Sequence, residues 1–202
     1  MLRSEIINIL IRANNYKSYL EIGIGDGENY KYINCENKTN VDPCFDDYDH
    51  QNLSLVENRM TSNEFFQNNS QKFDIIFIDG LHEYTQVYRD IKNSLAALNE
   101  NGAIVCHDML PPTEWHQRPQ SEYSKGQEWN GDSWKAIARL RIEEEDLDIY
   151  TVNTDWGVGV IKKGFNFKHD VSLEVGTSYD YYNKNKDILM NVISPDVFRN
   201  MH

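Results

Sequence analysis

The chain has 202 residues, enough for one substantial domain and too few for two of full size. Its net charge of -12 and scattered Lys and Arg, whose longest cluster is Lys162-Lys163, argue against a duplex nucleic-acid partner, which a basic face would mark. Hydrophobic residues make up 40%, yet no apolar run approaches the roughly 18–20 residues that span a bilayer.

The start, Met1-Leu2-Arg3-Ser4-Glu5, carries an acid early and does not read as a signal peptide. Cys35, Cys44 and Cys106 are odd in number and lack close pair spacing, which points to a reducing compartment and a cytoplasmic location. One domain over 1–202 is expected. A homo-oligomer is compatible with the sequence.

In chain order, Ile6, Ile7, Leu10 and Ile11 have helical spacing and predict an N-terminal helix within residues 1–16. Ser18 to Ile22 reads as a buried strand running into a glycine-rich turn, with a helix from about Asp26–Glu28 to before Asn34. Asn40 to Asp42 reads as a second strand stopped by Pro43, and Leu53 to Val56 as a short third. Ser62 to Asn69 reads as a helix with Phe65 and Phe66 inward.

Phe73 to Asp79 is a continuous apolar run ending in an acid, as in a strand buried on both faces. Tyr84, Val87, Tyr88, Ile91, Leu95 and Leu98 share one helical face, and Asn101-Gly102 is expected to end that helix. Ala103 to Cys106 reads as a further strand, ending in His107-Asp108. Residues 109–132, rich in Pro, Gly and Trp, read as a long surface loop suited to an acceptor side and lid. A helix over Ser133–Glu145 and an antiparallel pair, Asp148–Asn153 with Gly157–Lys163, follow. Residues 165–202 read as a C-terminal segment with a helix near Tyr179–Val192. The alternation predicts an α/β fold: a Rossmann-like doubly wound sheet of about seven strands, mostly parallel, with an antiparallel C-terminal hairpin strand and helices on both faces.

The turn after the first strand is Glu21-x-Gly23-x-Gly25-x-Gly27. Glycines there permit positive φ and close approach of backbone to a ligand. A pyrophosphate-binding turn prefers G-x-G-x-x-G, but Glu28 occupies the last position, which disfavours a nicotinamide dehydrogenase. A tight turn without a ligand is the plain alternative. Asp42 follows about 20 residues on, at a distance suited to a carboxylate that accepts from a cis-diol.

Leu-Glu-Ile-Gly-Ile-Gly-Asp-Gly resembles the first motif of the class I methyltransferases. The resemblance implies that Glu21, Gly23, Gly25 and Gly27 hold S-adenosylmethionine and that Asp42 takes its ribose hydroxyls. Met60-Thr61-Ser62-Asn63 resembles the stretch flanking the adenine, although Thr61 or Ser62 reads equally well as a helix N-cap.

Asp79-Gly80-Leu81-His82 and His107-Asp108 stand at the ends of expected strands. Neighbouring strands lie roughly 4.8 Å apart, so these groups can share a ligand such as a divalent metal. Capping of helices and mutual hydrogen bonding is the alternative. With Gly131-Asp132-Ser133-Trp134-Lys135 and Thr154-Asp155-Trp156-Gly157-Val158-Gly159, they resemble the methyltransferase domain 24 family, which includes macrocin-type sugar O-methyltransferases. The resemblance implies metal binding by Asp79 and Asp108, with Asp79 also at the cofactor and at the reaction, and His82 as general base. His107 stands where an acid is common, which leaves magnesium, a softer transition metal at Asp79, His107 and Asp108, or no metal. Trp115, Trp129 and Trp134 could line an acceptor pocket or pack the core. His50, His116, His169 and His202 read as surface residues.

The function expected is S-adenosylmethionine-dependent methylation of a hydroxyl on a small-molecule or sugar acceptor, metal-assisted. The alternatives are a metal-independent N- or O-methyltransferase using His82 or His107 as base, and a non-catalytic protein that keeps the fold and binds the cofactor.

Overall fold

A computed structural model describes residues 1–44, 53–164 and 178–202. Part of the expected C-terminal segment (165–177), His50 and His169 lie outside the described residues.

The strands are β1 (Ser18–Ile22), β2 (Asn37–Val41), β3 (Phe73–Ile78), β4 (Leu98–Cys106), β5 (Leu147–Val152), β6 (Val158–Lys163) and β7 (Val192–Ile193). They form one sheet in the order β2-β1-β3-β4-β6-β5-β7. The pairs β1/β2, β1/β3 and β3/β4 are parallel. β6 runs antiparallel to both β4 and β5, and β7 is parallel to β5. This is the expected fold class.

Among the described residues, seven helices flank the sheet: α1 (Arg3–Asn14), α2 (Glu28–Tyr32), α3 (Ser62–Asn68), α4 (Tyr84–Ala97), α5 (Trp134–Glu143), α6 (Tyr179–Leu189) and α7 (Pro195–Met201). Alternate strand residues point to opposite faces, so the core splits in two. Leu20, Ile22, Ile76, Ile78, Ile104, Ile149 and Ile161 meet Val87, Ile91, Ile137 and Tyr182 from α4, α5 and α6. Their neighbours Tyr19, Ile75, Phe77, Val105, Tyr150 and Val160 meet Ile6, Ile7 and Leu10 of α1 and Phe198 of α7. The central strands are apolar throughout because both faces are covered.

Several expectations are corrected. Leu53–Leu55 is a 3-10 turn, and the chain after it meets β2 through a bridge from Val41 to Asn58. The strand expected at Asn40–Asp42 starts at Asn37 and stops before Asp42. The helix expected to end at Asn101-Gly102 ends at Ala97, and both residues lie inside β4. Leu98 continues the helical spacing but pairs with Phe73 in the sheet. Gly102 serves close approach instead of a cap: a Cβ there would come 2.7 Å from the Asp74 carbonyl oxygen.

Residues 109–132 are more than a surface loop. They hold two 3-10 turns, Glu114–Gln117 and Gln120–Glu122, around a buried arginine. Arg118 donates to the carbonyls of Trp115 (2.8 Å), Glu128 (3.0 Å) and Glu122 (3.3 Å), and to Gln127 Oε1 (3.0 Å). Its guanidinium lies 3.7 Å from the centre of the Trp115 ring. Trp134 belongs to the core, fully buried with its ring centre 4.4 Å from that of Tyr182 and its Nε1 donating to Gln117 Oε1 at 2.8 Å.

Trp134→Ala therefore removes a core side chain and releases Gln117 at the base of the loop. A loss of about 3–5 kcal/mol is expected, read as a lowered midpoint in urea denaturation; a change below 1 kcal/mol would show that Trp134 is not part of the core.

Candidate functional site

The chain leaves β1 for β2 on one side and returns to β3 on the other. The carboxyl ends of β1 and β3 thus form a switch point, where open α/β sheets bind ligands. The registers pair Ile22 with Val41, Ile22 with Ile78, and Ile78 with Cys106. Gly23, Asp42, Asp79 and His107 each follow one of these residues, so they line one edge.

In the glycine turn, Gly23, Gly25 and Gly27 have φ of +82°, +51° and +76°. A Cβ on Gly23 would lie 2.3 Å from the Asp79 carbonyl oxygen, so the turn and the end of β3 touch backbone to backbone. Asp42 is buried beside the turn. Its Oδ2 accepts from the amides of Ile24 (3.0 Å) and Gly25 (3.3 Å), and its Oδ1 from Cys44 N (2.8 Å). These bonds hold the carboxylate against the loop and leave each oxygen a further lone pair.

Glu21 is buried under the turn. It accepts from the Tyr19 hydroxyl and from Asn29 Nδ2 (3.1 Å). Burial pushes its carboxyl up to about 8, against the opposing effect of those two hydrogen bonds. Its visible role is to fasten β1 to α2.

Thr61 caps α3, accepting from Glu64 N at 3.2 Å in a capping box. Ser62 Oγ accepts from Gln86 Nε2 at 3.1 Å. Both side chains are thus spent on local structure.

The second constellation comes together as one cluster. His82 Nε2 lies 3.3 Å from Asp79 Oδ1, and its Nδ1 lies 3.3 Å from Asp108 Oδ2. His107 Nδ1 lies 3.2 Å from Asp79 Oδ1 and 3.1 Å from Asp108 Oδ2. One ligand atom each from Asp79, His82 and Asp108 fall within 4.8 Å of one another, the spacing of a metal site. His107 faces the same two oxygens. Its Nε2 lies 2.8 Å from the Asp155 carbonyl oxygen, the kind of outer contact that fixes the tautomer of a ligating histidine.

The electrostatics follow from this geometry. Burial alone would raise Asp79, but His107 and His82 outweigh it and hold the carboxyl far below its usual range. Burial would lower both imidazoles, yet Asp108 and Asp79 raise His82, and Asp79 and Asp108 raise His107 well above its usual value. Without a bound cation the acids therefore favour imidazolium.

Asp108 adopts φ of +61°, a strained backbone that aims its carboxylate into the cluster. Asn130 Nδ2 donates to Asp108 Oδ1 at 2.7 Å, and Asn130 Oδ1 is buried without a hydrogen-bond partner. An acid–imidazole donor set with an unsatisfied buried oxygen beside it fits a divalent cation.

The loop over the cluster is aromatic. His82 stacks on Trp129 with ring centres 5.2 Å apart, and Trp129 on Tyr123 at 5.1 Å. Gly131, at φ +59°, lets the loop reach this point, since a Cβ there would lie 1.8 Å from the His82 carbonyl oxygen. Asp132 then accepts from Tyr84 N at 2.6 Å, capping α4 from a distance. Trp115 and Trp156 remain 48% and 39% exposed at the rim. His116 is half-buried between their rings and bonds Thr113, so it is not a bare surface residue.

The sequence reading missed Arg3, Asn130 and the structural role of Asp155. Asp155 has a weak signal in the Thr154–Gly159 turn; Arg3 and Asn130 have none.

Residues 20–109 match the family model described as "Methyltransferase domain", family 24. That stretch, from β1 to just past β4, is similar to the family over less than half of the chain. No curated protein matches the sequence. Solved structures that resemble the chain include the following three. A protein described as a caffeoyl-CoA O-methyltransferase from Staphylococcus aureus is 22% identical, with a TM-score of 0.57 over 80% of this chain and 82% of its own. TomG from Streptomyces achromogenes, an O-methyltransferase involved in tomaymycin synthesis and solved with S-adenosylmethionine, is 12% identical, with a TM-score of 0.57 over 80% and 79%. An O-methyltransferase from Bacillus cereus, solved with S-adenosylhomocysteine, is 13% identical, with a TM-score of 0.53 over 80% and 80%. At these identities the likeness establishes the fold.

The raised pKa of the buried Glu21 carboxyl makes stability depend on pH. The folded state holds this proton more tightly than the unfolded chain, so its contribution is complete below about 4.5 and is lost as pH rises towards about 8. Glu21→Gln should therefore gain in melting temperature relative to the parent between pH 5 and pH 8.5, as read by circular dichroism. A pH-independent difference would mean that Glu21 is ionised in the fold.

Proposed function

We propose that the protein transfers the methyl group of S-adenosylmethionine to a hydroxyl of a small-molecule or sugar acceptor, with a divalent cation at the acid–imidazole cluster. The observation that carries this reading is the contact of Gly23 with the Asp79 main chain, which sets the glycine turn directly against that cluster.

Methyl transfer is an in-line displacement, so the protein must align two reactants and make the acceptor nucleophilic. Gly23, Gly25 and Gly27 leave backbone room for the methionine part of the cofactor, and Asp42 offers lone pairs to its diol. Thr61 and Ser62 lie on the adenine side of this reading, through their backbone. Asp79, His107 and Asp108 would hold the cation, leaving the His82 lone pair for the proton; this set has more nitrogen than magnesium usually takes. When bound, the cation supplies Lewis-acid lowering of the acceptor hydroxyl's pKa.

His82 is the residue we assign to accept the hydroxyl proton. Its ring is pinned between Trp129 and the two acids. It can act as a base only when the charge of Asp79 and Asp108 is otherwise compensated, because those acids otherwise keep it protonated. Tyr123, Trp129 and the Arg118-stapled loop would exclude water and face the acceptor.

A second, metal-independent reading has one observation behind it. Arg3 Nε lies 3.6 Å from Asp79 Oδ2, a positive charge already next to the acids. His82 or His107 would then serve as a simple base towards N or O acceptors.

We keep the cytoplasm as the location, on the odd number and wide spacing of Cys35, Cys44 and Cys106.

His82→Ala is expected to lose about 10²-fold or more in kcat while binding S-adenosylmethionine as the parent does. Calorimetry reads the binding, and S-adenosylhomocysteine release over a panel of hydroxylated acceptors reads the turnover. Chelator should suppress turnover, with recovery on adding Mn2+ or Mg2+. Unchanged activity in chelator would sink the cation and leave the simple base; absence of cofactor binding would sink both readings.

A further inference from the structure

The first residue of α1 reaches the far side of the acid cluster. Arg3 NH1 lies 3.2 Å from Asp155 Oδ2, and the Arg3 main-chain N–H donates to the same oxygen at 2.7 Å. Arg3 Nε lies 3.6 Å from Asp79 Oδ2, an ion pair too long for a hydrogen bond, and is buried without a hydrogen-bond partner. A buried donor without an acceptor is costly, and the Asp79 carboxylate is the acid it faces. Arg3 and a cation thus draw on the two oxygens of one carboxylate.

Asp155 completes the arrangement. It sits in the turn between β5 and β6 with φ of +46°, followed by Trp156 at +63° and Gly157 at +89°. This left-handed run turns its carbonyl to His107 Nε2 and its carboxylate to Arg3. The amides of Met109 and Leu110 bond the carbonyls of Gly157 (3.0 Å) and Trp156 (2.8 Å), fixing the turn beside Asp108. With both imidazoles neutral, Asp79, Asp108 and Asp155 set against Arg3 leave two uncompensated negative charges, the charge of one divalent cation.

We propose that Arg3 is a built-in counter-charge that sets the divalent-cation affinity of the Asp79–His82–His107–Asp108 cluster. The inference rests on the cation reading above. Arg3 weakens cation binding by occupying Asp79 electrostatically, and Asp155 restrains that effect by holding the guanidinium. Arg3→Gln removes the charge but keeps the main-chain bond to Asp155, so it separates charge from position. Arg3→Lys keeps the charge. Asp155→Asn frees the guanidinium towards Asp79 and removes a negative charge, so it must act in the opposite direction.

The test is titration of the full-length protein with Mn2+, followed by the electron paramagnetic resonance signal of the free ion. One unit charge within about 6 Å of a divalent ion in a water-like dielectric changes its affinity by about tenfold. Arg3→Gln should bind Mn2+ about tenfold more tightly than the parent, Arg3→Lys like the parent, and Asp155→Asn more weakly. Asp79→Asn should abolish binding. Equal or weaker binding by Arg3→Gln, with binding still dependent on Asp79, overturns the counter-charge and leaves the cation site standing. Binding that Asp79→Asn does not change overturns both. If circular dichroism shows Arg3→Gln unfolded, Asp155→Asn decides: equal or tighter binding than the parent overturns the proposal.

Discussion

The site depends on one close approach. The backbone of Gly23 passes so near the Asp79 carbonyl that a single added carbon would collide with it. Because β1 and β3 are adjacent and in register, the turn after one strand must share its space with the end of the other. A side chain at position 23 would force the two strand ends apart. The glycine turn and the acid cluster are therefore one construction, and the proposed methyl transfer would use both at once.

The cluster illustrates how buried charge is managed at a sheet edge. Three aspartates come from three different turns, after β3, after β4 and between β5 and β6. Left alone they would repel one another at close range. Two imidazoles and one guanidinium reach them, from the ends of β3 and β4 and from the start of α1. The strained conformations of Asp108 and Asp155 show that packing elsewhere holds this arrangement. The Arg118 staple, the Gly131 approach and the Asp132 cap on α4 belong to that packing.

Local pattern carried much of the fold. The apolar spacing of Arg3–Asn14, the run Phe73–Ile78 and the one-sided face of Tyr84–Ala97 announce their elements because burial of a helix stripe or a two-faced strand demands those periods. It misled where two periods overlap. Leu98 fits the helical face of α4 and also pairs with Phe73, and the sheet decided. Asn101-Gly102 carries a helix-ending signature, yet Gly102 is small because the Asp74 carbonyl leaves no room. Trp134 could equally have lined a pocket, and only the neighbouring Tyr182 places it in the core.

By itself the sequence determined the glycine turn, the acid at the end of β2, and the acids and histidines at the ends of β3 and β4. Spacing within a short segment suffices for these, because strand ends and turns are local. Only the tertiary structure decided that Arg3 and Asp155, 152 residues apart, meet at the same cluster. It also placed both imidazoles on the same two carboxylate oxygens, and Trp129 over His82. Such meetings depend on the order of strands in the sheet and on which helix covers which face, and neither is written in any one segment.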